Sequence, residues 1–309
     1  MSRILVTGAN GFVGRAVVAA LAAGGHPVRA AVRRTPLPPV PEAVEVVVHP
    51  DLERPIDWTP LVAGIDAVIH LAGIAHTRGV APELYDRVNR LATGQAATAA
   101  ARAGVGRFVF ASSIRAQCGP AAEHVLTERD PPAPTDDYGR SKLAAEEAVR
   151  RSGVPFTILR PVLVYGPGVK GNFAALLRAA ASRWPLPARL LANRRSLLGV
   201  ANFVSALKFT LSAPATAGET YLVSDPGTPP TLAELIVALG KAQGRRPLLL
   251  PVPTGLIEIP LRIIGRSDLW ERLGGNLQVD PGKLIAAGWQ PAHDTYAGLA
   301  AMARAATVG

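Results

Sequence analysis

Cysteine is nearly absent from this 309-residue chain. The single one, Cys118, excludes an internal disulfide framework and a cysteine-built zinc site, and it suits a reducing, cytoplasmic setting. The six histidines show no HxxxH or HExxH spacing, so no metal site is expected. No signal peptide is visible, because Met1-Ser2-Arg3 leads straight into an apolar strand. A long apolar run is also missing. The most apolar stretch, Leu248 to Gly265, is interrupted by Pro251, Pro253 and Pro260 and charged by Glu258 and Arg262. It reads as a core-facing loop and helix, with membrane-surface contact as the lesser reading and no membrane span. Lysine is scarce as well. Only Lys142, Lys170, Lys208, Lys241 and Lys283 occur among 33 basic residues, which marks Lys142 as a place where chemistry could require an ammonium group. The net charge of +10 invites a nucleic-acid reading, but no long basic cluster or aromatic-interleaved stripe accompanies it. No nucleic-acid partner is expected; an anionic cofactor and substrate account better for the charge.

What is present begins at the N-terminus. Ile4-Leu5-Val6 has the apolar character of a buried parallel strand, and Arg15 to Gly24 reads as a helix stopped by Gly24-Gly25. Between them lies Thr7-Gly8-Ala9-Asn10-Gly11-Phe12-Val13-Gly14. Gly8 permits a sharp turn, Gly11 lets backbone approach a pyrophosphate, and Gly14 lets helix pack on strand. Asn10, Phe12 and Val13 complete this cofactor-binding turn, which aims the positive end of a helix dipole at an anion.

Further strands are expected at Pro27–Val32, Val44–Val48, Asp66–His70 and Arg107–Ala111, with a long helix from Glu83 to Arg102. This alternation predicts an α/β fold, a Rossmann-type doubly wound parallel sheet, with ligand beyond the carboxyl ends of the strands. Several polar or small residues fall at those ends. Arg33 and Arg34 stand where NAD-preferring chains carry an acid, so NADP(H) is favoured and NAD(H) is the alternative; a solvated loop pair is the bland reading. Asp51 and Leu52 could meet adenine, or Asp51 could cap a turn. Leu71-Ala72-Gly73 lets backbone reach the cofactor, whereas His70 reads as a packed strand-end residue. Asn89 is either a helix-face polar group or a brace for the neighbouring strand end.

Chemistry concentrates in Ser112-Ser113 and in Tyr138-Gly139-Arg140-Ser141-Lys142, the latter on a helix running from Asp136 to Arg151. Residues four apart share a helix face, so Lys142 neighbours Tyr138, and an ammonium group there lowers a phenol's pKa. Tyr138 could exchange a proton with a substrate oxygen that Ser113 holds, while Lys142 reaches the ribose of the cofactor.

On the stretches Thr7–Gly14, His70–Gly73, Phe110–Ser113, Tyr138–Lys142 and Leu159-Arg160-Pro161 followed by Val164-Tyr165-Gly166-Pro167-Gly168, the chain resembles an extended short-chain dehydrogenase/reductase of the NAD-dependent epimerase/dehydratase family. Ser112-Ser113-Ile114-Arg115, residues 168–173, residues 193–197 and Leu277-Gln278-Val279-Asp280 bring it nearer to bacterial UDP-glucose 4-epimerase-like enzymes and UDP-4-keto-6-deoxy-N-acetylhexosamine 4-reductases of surface-polysaccharide synthesis. The resemblance implies Ser113, Tyr138 and Lys142 as catalytic residues and Pro161 beside the nicotinamide. It also implies Asn172 and Arg195 on a UDP-sugar diphosphate, and a homodimer through paired helices. Two places depart from the pattern: Ala116-Gln117-Cys118-Gly119 replaces Val-Tyr-Gly, and Asn202 stands where relatives often have an acid.

Residues 1–165 are expected to form the NAD(P)-binding domain, with 200–224 returning to it, and 166–199 with 225–309 the substrate lobe. Pro120 to Pro134 reads as a flexible loop, and Thr231 with Glu234 as a capping box. Rival readings are a reductase of a non-nucleotide ketone and a non-catalytic NADP-binding sensor.

Overall fold

The computed structural model describes residues 2–33, 44–75, 79–169, 172–263 and 274–307. Strand β1 (Ile4–Thr7), helix α1 (Phe12–Ala23), β2 (Val28–Val32) and β3 (Val44–Val48) open the chain, followed by a short α2 (Thr59–Val62) and β4 (Ala67–His70). The helix expected from Glu83 to Arg102 is not uniform. An α-turn, α3 (Pro82–Tyr85), passes through a π-helical segment (Asp86–Leu91) into α4 (Ala92–Arg102). Then come β5 (Arg107–Ala111), α5 (Ile114–Gln117), β6 (Val125–Leu126), α6 (Asp137–Arg151), β7 (Phe156–Pro161) and β8 (Leu163–Tyr165). The second half holds α7 (Asn172–Ala181), β9 (Leu197–Gly199), α8 (Val200–Ser212), β10 (Glu219–Val223), α9 (Leu232–Ala242), α10 (Thr254–Ile263), β11 (Gln278–Val279), α11 (Gly282–Ala286) and α12 (Thr295–Thr307).

Seven strands make one parallel sheet in the order β10-β7-β5-β4-β1-β2-β3. Its inner strands are buried on both faces, which is why they read as apolar runs, whereas the edge strand β3 is largely exposed. One face packs Val17, Val18 and Leu21 of α1 with Phe203, Val204 and Leu207 of α8. The other packs Trp58, Leu61 and Val62 near α2 with Ala96 and Ala97 of α4 and Ala145 and Val149 of α6. The order in which strands are added reverses between β1 and β4, and the crevice beyond their carboxyl ends is where such sheets bind ligands. Thr7 joins those two ends: its Oγ1 accepts from the N–H groups of Leu71 and Ala72, each at 3.1 Å, and meets His70 Nδ1 at 3.0 Å. His70 is fully buried, and burial first, then the Lys142 charge, lowers its pKa to about 3, so it is a neutral packing residue.

A second core gathers Phe173, Leu197, Leu235, Ile236, Leu239, Leu299 and Met302 from the 166–199 and 225–309 segments, together with Tyr165, the last residue of the 1–165 stretch. Part of the latter segment goes elsewhere. Leu277, Val279, Leu284 and Trp289 pack into the sheet's own core, so the 225–309 stretch is divided between the two cores. The capping box forms as expected, with Thr231 Oγ1 accepting from Glu234 N–H and Glu234 accepting from Thr231 N–H.

Pro120 to Pro134 is not a free loop. Its Val125 and Leu126 pair in parallel with Gln278 and Val279, Glu128 accepts from Leu222 N–H at 2.7 Å, and Gln117 donates to the Asp130 carbonyl at 2.6 Å. Proline-rich composition suggested a loop because the partners that satisfy its backbone lie far along the chain. No helix among the described residues is long and apolar enough to cross a membrane.

The α1–α8 contact makes the fold testable. Leu21→Ala leaves a void against a fully buried face and is expected to cost about 2–5 kcal/mol in urea unfolding; a loss under about 1 kcal/mol would show that this interface does not carry the fold.

Candidate active site

The glycine turn forms at the crevice. Gly8 adopts φ +66°, and a Cβ on it would sit 2.9 Å from Ala72 N, so only glycine lets β1 turn against the β4 end. A Cβ on Gly14 would be driven into the Gly8 carbonyl oxygen, which fixes how close α1 lies to the turn. Gly11 caps α1 in extended conformation, without a capping side chain and without an acid in the first turn. That leaves the helix N-terminus suited to an anion's negative charge. Asn10 is exposed beside it, Val13 packs on the core, and the Phe12 ring reaches the position a Cβ on Gly166 would take, at 3.3 Å.

Across the crevice, Gly73 meets Asn89 and Lys142. A Cβ there would lie 2.8 Å from Asn89 Oδ1 and 4.0 Å from Lys142 Nζ. Asn89 is a brace. Its Oδ1 accepts from Ile74 N–H at 2.8 Å, and its amide donates to the Ile74 carbonyl at 3.1 Å and to Ser141 Oγ at 3.0 Å. It lies in the π-helical segment, where the wider turn brings this buried amide to the strand end.

Ser113, Tyr138 and Lys142 come together at the carboxyl end of β5. Ser113 caps α5, accepting from Arg115 N–H at 3.2 Å, and its hydroxyl is hydrogen-bonded to the Tyr138 side chain. Asp136 starts α6 by accepting from Gly139 N–H at 2.7 Å and from Arg115 at 2.5 Å. Tyr85 packs on the Tyr138 ring with centroids 5.8 Å apart. Desolvation raises the Tyr138 pKa, and the Ser113 hydrogen bond works against it. This differs from the expected lowering by Lys142. The ammonium of Lys142 points instead to the Ala111 carbonyl, 2.8 Å away, and sits 4.5 Å from the Phe110 ring centre. Burial lowers the Lys142 pKa to about 8, opposed by the carboxylate of Glu146 one turn further on.

Glu146 belongs to a buried network that sequence reading missed. Its Oε1 accepts from Ser112 Oγ at 2.5 Å and from Arg160 Nε at 2.8 Å, and its Oε2 from Arg160 Nη2 at 2.6 Å. Arg160 also donates to Gln117 of α5. The available signal was an arginine inside an otherwise apolar strand, because a buried guanidinium demands a paired acid. Pro161, buried at the end of β7, follows it directly.

Other expected site residues are placed less simply. Arg33 and Asp51 lie 3.7 Å apart, both exposed, and Leu52 is buried. Arg34, Lys170 and Gly171 lie outside the described residues, as does the side chain of Asn172. The guanidinium of Arg195 donates to the carbonyls of Gly275 at 2.9 Å and Pro120 at 2.8 Å, and so ties the lobe to the loop after Ser113. Arg194 bonds the Pro229 carbonyl and Glu234. Asn202, the second departure, has a structural reason. Its amide donates to Asp225 Oδ1 and the His293 carbonyl, each at 2.7 Å, and its Oδ1 accepts from Ala292 N–H at 2.8 Å. A carboxylate there would face Asp225 with no proton to offer.

The parallel sheet, glycine turn and serine–tyrosine–lysine cluster define an extended short-chain dehydrogenase/reductase. Residues 4–224 match the model of the NAD dependent epimerase/dehydratase family, and the chain belongs to that family. It is 34% identical to a UDP-glucose 4-epimerase of Vibrio cholerae over 98% of this chain and 94% of the relative. It is 32% identical to a ceramide reductase of Caulobacter vibrioides over 81% and 73%. The solved structure of MoeE5 in complex with UDP-glucuronic acid and NAD superposes with a TM-score of 0.77 at 26% identity, covering 98% of each chain.

The Glu146 network predicts a displaced lysine titration. In Glu146→Gln the opposing carboxylate is gone, so an NMR titration should place the Lys142 ammonium below its value of about 8. The single change also strands the Arg160 charge and should cost about 3–5 kcal/mol. Glu146→Leu with Arg160→Met should recover most of that stability while keeping the lower titration; an unchanged Lys142 titration in both variants would remove Glu146 from the account.

Proposed function

We propose that the protein is a nicotinamide-dependent oxidoreductase acting by hydride transfer at C4 of a UDP-sugar, as a 4-keto-sugar reductase or a 4-epimerase in surface-polysaccharide precursor synthesis. One observation carries this reading: the Ser113–Tyr138 hydroxyl pair, with Lys142 one turn on, lies at the strand ends beside a helix terminus suited to pyrophosphate. The names of the epimerase relative and of the MoeE5 complex support the substrate class.

The cradle fits a dinucleotide, since glycine is required where backbone must lie close at positions 8 and 14, and Gly73 leaves the crevice open between Asn89 and Lys142. A bound nicotinamide supplies or accepts the hydride. The chain's own residues do the rest. Ser113 donates to the substrate oxygen and fixes its position, and Tyr138 gives that oxygen a proton as a carbonyl becomes an alcohol, or removes one in the reverse direction. Lys142, positively charged at neutral pH with a pKa of about 8, offers its ammonium to the ribose hydroxyls and favours the phenolate once the cofactor brings the groups together. Asn89 holds the β4 end so that Leu71-Ala72-Gly73 lines the cofactor, with Pro161 at its nicotinamide end.

Arg33 supports NADP(H), although Asp51 competes for its guanidinium. A homodimer is proposed through α4 and α6, beside which a groove of about 690 Å³ is lined by Arg90, Leu91, Gln95 and Thr98. The cytoplasm, where nicotinamide and nucleotide sugars coexist, is the proposed site of action. A second reading, reduction of a ketone not carried on a nucleotide, is favoured by Arg195, whose guanidinium already serves two backbone carbonyls, and by the ceramide reductase relative.

Tyr138→Phe is expected to lower turnover about 10²–10⁴-fold with cofactor affinity nearly intact; full turnover would falsify the catalytic assignment. Arg33→Asp should weaken NADPH binding about tenfold and spare NADH, and a wild-type preference for NADH would sink the 2′-phosphate contact. Product analysis of a panel of UDP-sugars, UDP-4-keto-sugars and a long-chain ketone decides between the two substrate readings.

A further inference from the structure

The second lobe turns apolar side chains toward water. On α10, Leu256, Ile259 and Ile263 fall at i, i+3 and i+7, one stripe of the helix, and they are 67%, 58% and 79% exposed. Within the stretch expected to be a core-facing loop and helix, Leu249 packs on the second core, whereas this stripe faces outward; the side chains of Ile257, Pro260, Leu261 and Arg262 lie outside the described residues. The chain leading into α10 does the same. Leu186 and Leu249 form a bridge, with Leu186 N–H donating to the Leu248 carbonyl and Leu250 N–H to the Leu186 carbonyl. Beside that ladder Trp184 is 80% exposed, and Leu248 and Leu250 are exposed as well.

The two segments that form the Leu186–Leu249 bridge carry charge of one sign. Residues 172–196 and 235–257 contain no Asp or Glu, while Arg178, Arg183, Arg189, Lys241, Arg245 and Arg246 are all exposed. Glu258, half-buried on α10, is the sole acid in residues 235–263.

We propose that this face docks on an anionic lipid bilayer, with Trp184 and the α10 stripe entering the headgroup region and the surrounding cations meeting lipid phosphates. The two features together select this occupant. A helix with isoleucine and leucine exposed on one side, which follows a basic segment in the chain, is suited to the bilayer interface, where tryptophan is also favoured. The long arginine stems can lie along apolar surface while their charges reach outward. A second copy of the same face would set cation against cation, which opposes self-pairing. Docking needs no spanning helix, and it would hold the second lobe, and with it the crevice, at the membrane surface.

Sedimentation of the full-length protein with vesicles tests this. The protein should pellet with phosphatidylglycerol–phosphatidylcholine vesicles at low salt, far less with phosphatidylcholine alone, and progressively less as salt rises. Arg245→Gln and Arg246→Gln should each lower the partition coefficient about fivefold. Trp184→Ser with Ile259→Ser should lower it at least as much, and because these side chains are exposed the variants should keep the wild-type unfolding temperature. Failure to pellet with anionic vesicles would overturn the proposal, as would pelleting that neither pair of changes reduces. Vesicle-independent self-association lost in the serine variant would assign the face to a second copy and overturn it equally.

Discussion

A buried ion pair holds the candidate site together. Glu146 and Arg160 are both shielded from water, and their two parallel hydrogen bonds join α6 to β7. Through Ser112 and Gln117 the same pair reaches the end of β5 and the short helix capped by Ser113. Removing two charges from water is costly, and such pairs persist only when geometry and further hydrogen bonds compensate. Here the compensation fixes the relative placement of the elements that carry Ser113, Tyr138, Lys142 and Pro161. The pair also sets the local electrostatics, because the Glu146 carboxylate opposes the desolvation that would strip Lys142 of its charge.

A second buried carboxylate organises the junction between the two cores. Asp225, just beyond β10, accepts from the Tyr165 hydroxyl, Gly199 N–H and the Asn202 amide. Tyr165 ends β8, Gly199 ends β9 and Asn202 lies on α8, so the carboxylate gathers the crossings between sheet and lobe. Burial and Asp225 raise the Tyr165 pKa, which keeps the phenol protonated and donating. Arg195 adds a separate tie from the lobe to the loop after Ser113. These bonds tie the second lobe to the sheet and to the loop after Ser113.

The sheet was readable because its signals are local. Apolar runs, the glycine turn and the Asp136 cap all arise within a few residues, and the expected strands at Val44–Val48 and Arg107–Ala111 form with those bounds. Tyr138 and Lys142 were readable for the same reason, being one helical turn apart. What stayed hidden depends on partners far along the chain. Asn89 looked ambiguous because the π-helical segment, not sequence spacing, brings its amide to Ile74. Arg195 reads as a free fork until the Gly275 and Pro120 carbonyls are placed against it. The α10 stripe has the same 3–4 spacing whether it faces core or water, so periodicity could not orient it.

The central claim is that hydride moves between C4 of a sugar and a nicotinamide at the Ser113–Tyr138–Lys142 cluster. Deuterium placed at C4 of a UDP-sugar follows that bond directly. The account predicts that the label appears on the nicotinamide ring during turnover, then returns to the same sugar in an epimerase, or leaves with free cofactor when a reductase is run with oxidised cofactor in the oxidative direction. Product formed with no deuterium on the nicotinamide ring at any point of turnover, as read in rapidly quenched samples, would contradict it.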